Sequence, residues 1–347
     1  MTAVEHQQLI ASDPSAPVSI GLDDGFAVTK IALVDGRLFA VPSRARVGRS
    51  AVTWIDGSAA MIAEYETDAT VYSVGEVDAA PTQFDGYATS GLNRAIVQHA
   101  LQVAGLDGCA VHAVSGLPVS GFYAADGTQR RDTIDAKRDS LKQPVRCLSG
   151  GLPAEIAFHQ VIPEALAAWY DYVIDDSRGE PRLDAGRAAR PVAIVDIGGR
   201  TTDYVVVMDR GIVHRTSGSL RAGLLDVKQQ VGNALKTRFA LETLDDRVVH
   251  QALERGVVRL SGVEHDIHAQ VDDAKRELVE TLHAETRRRL GSGVELDRIL
   301  FVGGGAVVLA DLIGQWFPNQ VLAPLPAFAN ARGMLKYLRY VCDEQPV

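Results

Sequence analysis

Two aspartates, each at the end of an apolar strand and each followed by a glycine turn, have the types and spacing that point to chemistry. Asp23 stands two residues before Gly25, and Asp196 stands two residues before Gly198. In both places an apolar return strand follows the turn, which is the pattern of a β-hairpin. Because the pattern occurs twice at long range, the sequence predicts two related subdomains that each open with the same hairpin.

The paired hairpins predict a site for a polyphosphate and a divalent cation. A glycine turn exposes consecutive backbone N–H groups, which form a concavity that binds anions. Two facing concavities would clamp a polyphosphate from both sides. Asp23 and Asp196 would then point into the cleft, where a cation is needed between carboxylates and phosphates. Mg²⁺ suits this role because it keeps most of its waters and uses few carboxylates.

Composition and charge narrow the class of protein. The chain has 347 residues, 46% of them hydrophobic, which predicts two folded domains at roughly 150 residues each. No apolar run reaches the ~18 residues that span a membrane. The N-terminus lacks the basic start and apolar stretch of a secretory signal, so a cytoplasmic protein is expected. The three scattered cysteines are expected to be reduced thiols, and the net charge of −9 argues against direct nucleic-acid binding.

Hydrophobic spacing predicts the elements that position these residues. Helical spacing covers 90–104, and strand-like segments cover 109–114 and 154–162. Pro163 is expected in the first turn of the helix that follows, since a helix tolerates proline there. Further elements are a hairpin around 55–57, a loop or domain crossing at 176–191, helices at 222–240 and 267–290, a strand that runs into three glycines at 299–309, and a last helix at 329–341.

The sequence resembles the actin, sugar-kinase and heat-shock ATPase superfamily and, within it, the ParM/StbA-type plasmid-segregation actins. The resemblance rests on five motifs in the family's order, between about residues 18 and 340. They are the first phosphate motif IGLDDGFAVTKIAL, the first interdomain connection AVSGLPVSGFY with VIPEALAAWY, the second phosphate motif VAIVDIGGRTTDYVVV, the adenosine motif ILFVGGGAVVL and the second connection NARGMLKYL.

The resemblance implies an α/β, actin-like fold. In this fold, ribonuclease H-like duplicated subdomains form a two-domain ATPase with a nucleotide cleft between the domains. Residues 1–17 are expected to form a flexible N-terminal tail. Domain I is expected to comprise 18–190 plus 320–347, and domain II 191–319.

The resemblance also implies roles for individual residues. Asp23 and Asp196 would hold the water shell of Mg²⁺, and the catalytic residues would be Asp196 and Glu164. Glu164 would orient or activate the attacking water, and Lys30 would reach the β- or γ-phosphate. The residues expected to bind nucleotide are Asp23, Asp24, Gly25, Lys30, Gly198, Gly199, Arg200, Thr201, Gly303, Gly304 and Gly305.

Several of these residues also have a purely structural interpretation. An Asp-Gly pair is usually only a turn, and three glycines after a strand could simply lead into a helix. Lys30 could be a solvated strand residue, and Glu164 could complement a helix dipole. Two positions depart from the family pattern: Phe26 stands where many relatives have a small hydroxyl residue, and Arg200 where threonine is common. Arg200 could contact phosphate or simply point to solvent.

The function implied by the resemblance is that of a filament-forming ATPase. The protein would use ATP and Mg²⁺, hydrolyse ATP to ADP and phosphate, and assemble with itself by a contact that does not close into a ring. It would segregate plasmid DNA through a ParR-like DNA-binding adaptor on a centromere-like DNA site, without direct contact to nucleic acid or membrane. Three alternatives stay open: a cytoskeletal or scaffold actin not tied to plasmids, a small-molecule kinase of the superfamily, and a non-polymerising regulator.

Overall fold

The computed structural model of the protein describes residues 16–51, 62–177 and 181–342. In chain order, the elements before residue 190 are β1 (Val18–Asp24), β2 (Val28–Leu33), β3 (Leu38–Pro42), β4 (Ala45–Val47), β5 (Ile62–Thr67), β6 (Thr70–Gly75), α1 (Gly91–Val103), β7 (Ala110–Leu117), α2 (Val119–Phe122), α3 (Arg131–Leu141), β8 (Arg146–Cys147), β9 (Glu155–Pro163), α4 (Leu166–Val173), β10 (Ile174–Asp175), β11 (Arg182–Leu183) and α5 (Ala185–Ala188).

The remaining elements follow in the same way. They are β12 (Val192–Ile197), β13 (Thr202–Met208), β14 (Gly211–Ile212), β15 (Gly218–Leu220), α6 (Leu224–Phe239), α7 (Asp246–Arg255), β16 (Val257–Leu260), β17 (Val263–Asp266), α8 (His268–Leu290), β18 (Arg298–Val302), α9 (Gly303–Val308), α10 (Ala310–Ile313), β19 (Gln320–Leu322) and α11 (Ala329–Tyr340).

Two mixed sheets have the same topology. The first has the strand order β3-β2-β1-β7-β9, and the second has the order β14-β13-β12-β18-β19, with β15 also paired to β13. In each sheet the opening hairpin and its next strand pair antiparallel. The two later strands join parallel to the first strand of the hairpin and to each other. The duplication predicted from the two hairpins is therefore confirmed.

The central strands of the second sheet are apolar on both faces. Every residue of β12 is buried, and so is every residue of β18 except the first. Strands covered on both sides need such near-continuous apolar runs, and α6 and α8 supply part of the cover through Val231 and Leu278. Asp196 is the one charged residue of β12. Its burial carries a desolvation cost, which an apolar residue at this position would not have.

Helix α11 connects the two halves of the molecule. It lies so close to α4 that a Cβ added to Gly333 would be 1.7 Å from the carbonyl oxygen of Ala167. It also lies close to β1, since a Cβ added to Gly21 would be 1.8 Å from the carbonyl oxygen of Ala331. At its first residue, Ala329, it joins the apolar cluster under the second sheet. A residue near the start of α11 therefore reaches both halves.

The predicted helices at 90–104, 267–290 and 329–341 are confirmed as α1, α8 and α11. The predicted crossing at 176–191 contains β11 and α5, and β11 pairs with β10, which ends just before the crossing. Residues 1–15 of the expected tail and the hairpin expected around 55–57 lie outside the described residues.

The expected place of Pro163 inside a helix is wrong. Pro163 is the last residue of β9, and α4 begins at Leu166. Because β9 is the outer strand of its sheet, the N–H that proline lacks leaves no ladder partner unsatisfied. A turn at Glu164 and Ala165 therefore connects strand to helix.

The second sheet also extends past the expected domain boundary at 319/320. Strand β19 begins at Gln320 and pairs parallel with β18. Since the hydrogen bonds of β19 belong to the second sheet, this boundary is corrected to follow Leu322. Within 16–51, 62–177 and 181–342, no helix combines the length and the apolar character that a membrane crossing requires.

Candidate active site

The two glycine hairpins meet where the two sheets face each other. Asp23 near the end of β1 and Asp196 near the end of β12 are each 5% exposed. The turn of the second hairpin touches the turn of the first, because a Cβ added to Gly199 would be 2.7 Å from the Cβ of Ala27. The charge of Asp23 also contributes to the raised pKa of Asp196. The structure thus brings the two predicted aspartates into one cleft.

Lys30 faces this cleft. It lies opposite Asp23 in the β1–β2 register, and its Nζ is 2.7 Å from Asp23 Oδ2. Burial alone would lower the pKa of Lys30, but the charges of Asp23, Asp196 and Glu164 raise it. Its side chain is only 13% exposed, so the interpretation of Lys30 as a solvated strand residue is wrong. The ammonium group stays charged among carboxylates.

Asp196 is held by two contacts from distant parts of the chain. Its Oδ2 accepts a hydrogen bond of 2.6 Å from Asn330 Nδ2, at the start of α11. Gly303 lies against its other oxygen: a Cβ added there would be 2.3 Å from Asp196 Oδ1, and Gly303 has a φ of +88°. Burial raises the pKa of Asp196 to about 7, and the charges of Asp23 and Asp203 add to this shift.

Glu164 stands on the turn between β9 and α4. Ala165 has a φ of +60°, and its N–H donates to Asn330 Oδ1 at 3.1 Å. The Glu164 side chain passes over Gly116, where an added Cβ would be 2.7 Å from Glu164 Cγ. Asn330 therefore fixes the turn of Glu164 with one side-chain atom and the carboxylate of Asp196 with the other. Neither contact was predicted from the sequence.

The pKa of Glu164 lies well above its ordinary value. Burial is the largest cause, followed by the charges of Asp203, Asp23 and Asp196. Glu164 does precede a helix, so it can interact with the helix dipole, but its carboxyl group also lies close to other carboxyl groups. This environment is typical of functional sites, where enzymes shift the pKa of acids and bases.

Asp203 is a second residue that the sequence reasoning missed. It lies opposite Asp196 in the β12–β13 register and is 1% exposed. Its Oδ1 accepts hydrogen bonds from the Val119 N–H at 2.6 Å and from Ser219 Oγ at 2.5 Å. Its Oδ2 accepts from Thr201 Oγ1 at 2.9 Å. Asp203 thus ties the second hairpin to α2 of the first half, and the predicted site residue Thr201 supports it.

Asp24 has different partners from Asp23. Its Oδ2 accepts hydrogen bonds from Lys137 Nζ and, at 2.9 Å, from Asn93 Nδ2. The side chains of Asp24 and Lys137 are 2% and 1% exposed. The structure therefore places Asp24 in a buried ion pair that anchors α3 to the end of β1, while its contact with nucleotide stays a prediction.

The predicted glycines differ in the space around them. An added Cβ would be 3.0 Å from Val28 O at Gly25 and 2.9 Å from Thr201 O at Gly198. At Gly305 it would be 2.2 Å from Ile197 Cγ2. At Gly304 it would meet nothing within 4 Å. Gly304 therefore borders open space at the N-terminal end of α9, and the three glycines are the first three residues of that helix, directly after β18.

Arg200 does not point to solvent. Its guanidinium donates to Phe84 O at 2.8 Å and to Asp85 Oδ1 at 2.7 Å, both in the first half of the molecule. It also lies 5.2 Å from the centroid of the Phe26 ring. The phosphate contact expected for Arg200 stays a prediction.

The carboxylates of the cleft fit a hydrated divalent cation. Asp23, Glu164, Asp196 and Asp203 outnumber the Lys30 ammonium, and their mutual repulsion contributes to the raised pKa values. Across the part of the chain that the structure describes, no three His, Cys, Asp or Glu side chains form a direct metal-binding group. Mg²⁺ binds through one or two carboxylates and several waters, which is the arrangement expected for Asp23 and Asp196.

Two duplicated α/β sheets with facing glycine hairpins and paired aspartates define the actin-like class of fold. Two family models match the chain: that of the plasmid segregation protein ParM, N-terminal, over residues 18–175, and that of the archaeal actin homologue MreB-like, C-terminal, over residues 194–314. The first half of the chain is therefore similar to ParM and the second half to an archaeal actin homologue, and both matches agree with the actin-like fold.

Similar whole chains agree with this assignment. An archaeal actin homologue of Thermoplasma acidophilum is 25% identical over 91% of this chain and 97% of its own. Among solved structures, a 15-stranded ParM filament from Clostridium botulinum matches with a TM-score of 0.72 and 19% identity over 92% of this chain and 98% of the other. An archaeal actin homologue in complex with ADP matches with a TM-score of 0.70 and 20% identity over 93% and 99%. These structural likenesses establish the fold.

Proposed function

We propose that the protein binds ATP with Mg²⁺ in the cleft between its two domains and hydrolyses it to ADP and phosphate. The observation on which this rests is that the buried Asp23 and Asp196 lie at the two facing hairpins, with Lys30 2.7 Å from Asp23. The charges of both aspartates also act on the buried carboxyl group of Glu164. The cleft lies between two glycine hairpins that expose backbone N–H groups to an anion. A structure of a similar fold is described as a complex with ADP.

Binding is assigned to the hairpins and to the glycines of α9. The backbone amides near Gly25, Gly198 and Gly199 bind phosphate oxygens, and Lys30 donates to the β- or γ-phosphate. The glycines from Gly303 to Gly305 pass close to the α-phosphate and ribose. Open space at Gly304 supports this, because an approaching nucleotide needs backbone without side chains.

Catalysis is mostly positioning and charge stabilisation, as in other phosphoryl transfers. Mg²⁺, when bound, neutralises charge on the phosphate oxygens. Asp23 and Asp196 accept hydrogen bonds from its water shell, and Glu164 orients the attacking water. The pKa of Glu164 is raised among carboxylates, and a nearby cation lowers it again. Glu164 then accepts a hydrogen bond from the attacking water as a carboxylate.

The biological role that we propose is ATP-dependent filament assembly for plasmid DNA segregation, through a ParR-like adaptor bound to a centromere-like DNA site. The match of residues 18–175 to the ParM model and the likeness to a ParM filament support it. A net charge of −9 fits a protein that leaves the DNA contact to an adaptor.

A second role, that of a cytoskeletal or scaffold actin not tied to plasmids, is favoured by a different observation. The Thermoplasma relative, which aligns with 91% of this chain, is described as an archaeal actin homologue and not as a segregation protein. A neighbouring gene for a small basic DNA-binding protein would favour segregation, and its absence would favour the scaffold.

The test of the proposed function is right-angle light scattering and phosphate release after addition of Mg·ATP. Mg·ADP and ATP with a chelator serve as controls, and Glu164→Gln serves as a variant of similar size without the charge. We expect scattering to rise with Mg·ATP and to fall as phosphate appears, and the variant to form longer-lived filaments. Phosphate release without any rise in scattering would contradict the filament role, and no phosphate release would contradict the ATPase.

A further inference from the structure

The two residues that depart from the family pattern contact each other. Phe26 belongs to the turn of the first hairpin and Arg200 to the turn of the second. The Arg200 guanidinium lies 5.2 Å from the centroid of the Phe26 ring, within the range of a cation–π interaction. Arg200 is 15% exposed at its side chain, so this stacking takes place largely out of water.

The polar contacts of Arg200 lead to the same side of the cleft. Its two terminal nitrogens donate to Phe84 O and Asp85 Oδ1, at 2.8 and 2.7 Å. Asp85 also accepts from Arg221 at 3.1 Å, and the two arginines lower the pKa of its carboxyl group. The Arg200 guanidinium therefore has three partners: the Phe26 ring on its face, and the Phe84 carbonyl and the Asp85 carboxylate at its two terminal nitrogens.

The surface of the first domain that Arg200 contacts is formed by packed aromatic side chains. Phe26 and Phe84 both lie against Tyr87, with ring centroids 5.0 and 5.9 Å apart. The carbonyl oxygen of Phe26 accepts a hydrogen bond of 2.6 Å from Thr82 Oγ1. Because Phe26 is fixed within the first domain, a contact from Arg200 fixes the second hairpin relative to it.

These contacts join the two domains directly at the hairpin turns. The two hairpin turns are so close that a Cβ added to Gly199 would lie 2.7 Å from the Ala27 Cβ. Any rotation that separates the domains at this point must break the stacking on Phe26 and the bonds to Phe84 and Asp85 together.

We propose that Arg200 is a positioning residue that latches the two phosphate-binding hairpins and slows nucleotide release. This hairpin latch consists of Arg200 on one domain and Phe26, Phe84 and Asp85 on the other. The inference rests on the proposed function, because it assigns the latch to the rim of the nucleotide cleft. It accounts for both departures from the family pattern by one contact.

The chemistry requires arginine. A guanidinium can lie over a ring and donate from two terminal nitrogens at the same time, while the lysine ammonium is a compact charge that cannot make all three contacts at once. Cation–π contacts and part-exposed ion pairs are each modest, so loss of the latch is expected to speed nucleotide release by about three- to tenfold.

The test is the dissociation rate of a fluorescent ATP analogue, chased with unlabelled Mg·ATP in a stopped-flow instrument, and repeated with the ADP analogue. The variants are Arg200→Ala, Arg200→Lys, Phe26→Leu and the double variant. Arg288→Ala is the control, because Arg288 is 67% exposed and pairs with Glu285 within the same helix, α8. Asp85→Ala is a second route to the same result, and its side chain is 75% exposed, so folding is not at risk.

We expect Arg200→Ala and Phe26→Leu each to speed release of both analogues, Arg200→Lys to resemble Arg200→Ala, and the double variant to be no faster than the faster single one. Asp85→Ala is expected to shift release in the same direction, and the control to match wild type. If Arg200→Ala released both analogues at the wild-type rate, the latch would be overturned. It would also be overturned if the effects of the two single variants added up and appeared only with the ATP analogue. That result would indicate a direct contact between Arg200 and the γ-phosphate. A wild-type protein that binds neither analogue would refute the proposed function itself.

Discussion

Burial raises the pKa of Glu164 and of Asp196, and the charges of Asp23 and Asp203 add to both shifts across the join of the two domains. This arrangement costs folding free energy in the absence of a cation, because the charged forms are desolvated and repel each other. A site that binds a cation gains from the same repulsion, since the cation relieves it on binding. Stability and function are therefore opposed at these residues.

Asp196→Asn tests this opposition. The pKa of Asp196 is raised by burial from 3.8 to about 7. A folded state with the higher proton affinity loses stability as pH rises from about 4 to about 7, and the loss is then complete. The shift corresponds to an upper limit of about 4 kcal/mol at pH 8. We expect Asp196→Asn to be more stable than wild type at pH 8, with the difference shrinking toward pH 5, and to lose Mg²⁺-dependent hydrolysis.

Urea unfolding of the nucleotide-free protein at pH 5 and pH 8 measures the difference. Asp209→Asn, in the exposed turn between β13 and β14, is the control for removal of one surface charge. An Asp196→Asn protein whose stability follows the wild-type pH dependence would show that Asp196 is ionised without cost in the folded protein.

Gly303 and Gly304 are neighbours with opposite surroundings. A Cβ at Gly303 would lie 2.3 Å from Asp196 Oδ1 at a φ of +88°, while a Cβ at Gly304 meets nothing within 4 Å. We expect Gly303→Ala to destabilise the nucleotide-free protein by roughly 1–3 kcal/mol through overpacking and strain. We expect Gly304→Ala to leave its stability near that of wild type and to weaken nucleotide binding.

Thermal unfolding without nucleotide and titration with a fluorescent ATP analogue separate the two effects. Each variant is the control for the other, because the added methyl group is the same. Unchanged nucleotide affinity in Gly304→Ala would place the nucleotide away from the start of α9.

At the scale of elements, the hairpins were predictable because their signals are local. Turn residues, apolar alternation and the Asp-x-Gly spacing all lie within about fifteen residues of one another. The two hairpins also contain a signal for Asp203 in their matching spacing. Lys30 is seven residues after Asp23, and Asp203 is seven residues after Asp196. The duplicated register therefore puts a charged residue opposite each aspartate.

Asn330 was not predictable as a site residue, although it stands in a recognised motif. Its partners Ala165 and Asp196 are 165 and 134 residues away in the chain. Nothing local in the sequence indicates that the first turn of α11 enters the cleft. The sequence predicted Glu164 inside the first turn of a helix, but it lies on the turn before α4. The local sequence could not decide this, because proline suits the end of an edge strand as well as the start of a helix.

Asn330→Ala tests the connection between α11 and the cleft. The change removes the acceptor of the Ala165 N–H and the donor to Asp196, at distances of 3.1 and 2.6 Å. Leaving buried polar groups without partners costs ~1–3 kcal/mol, and we expect that loss of stability together with slower hydrolysis. Both are measured on the purified variant by urea unfolding and phosphate release.

Asn330→Asp distinguishes a role in the site from simple packing. It keeps an oxygen for the Ala165 N–H but faces Asp196 with a second carboxyl group. We expect its defect in hydrolysis to exceed that of Asn330→Ala at pH 8 and to shrink as pH falls toward 6, because one proton between the two carboxyls restores a hydrogen bond. Equal, pH-independent defects in the two variants would limit Asn330 to packing.

At the scale of the whole molecule, polar contacts close the cleft at several levels. The Asp203 contact with the Val119 N–H lies at the base. Arg200 and Asp85 lie at the hairpins. Further out, the buried guanidinium of Arg44 lies 3.3 Å from Asp246 of α7. The two halves also share a buried apolar cluster, in which Trp169 of the first half joins Ile194 and Val205 of the second. Relative motion of the domains is therefore expected at the hairpins, where the contacts are mostly polar.

A nucleotide clamped by both hairpins should therefore protect both domains at once. We expect hydrogen–deuterium exchange to slow at 23–30, at 196–203 and at the start of α11 when Mg·ATP is added. A ligand at 100 times its Kd stabilises the native state by ~2.7 kcal/mol, which bounds the protection at sites that exchange by global unfolding. ATP with a chelator is the control, because Asp23 and Asp196 are assigned to the hydrated cation. Protection confined to 23–30 would mean that the second hairpin does not contact phosphate. The duplicated sheets would then share a fold without sharing the site.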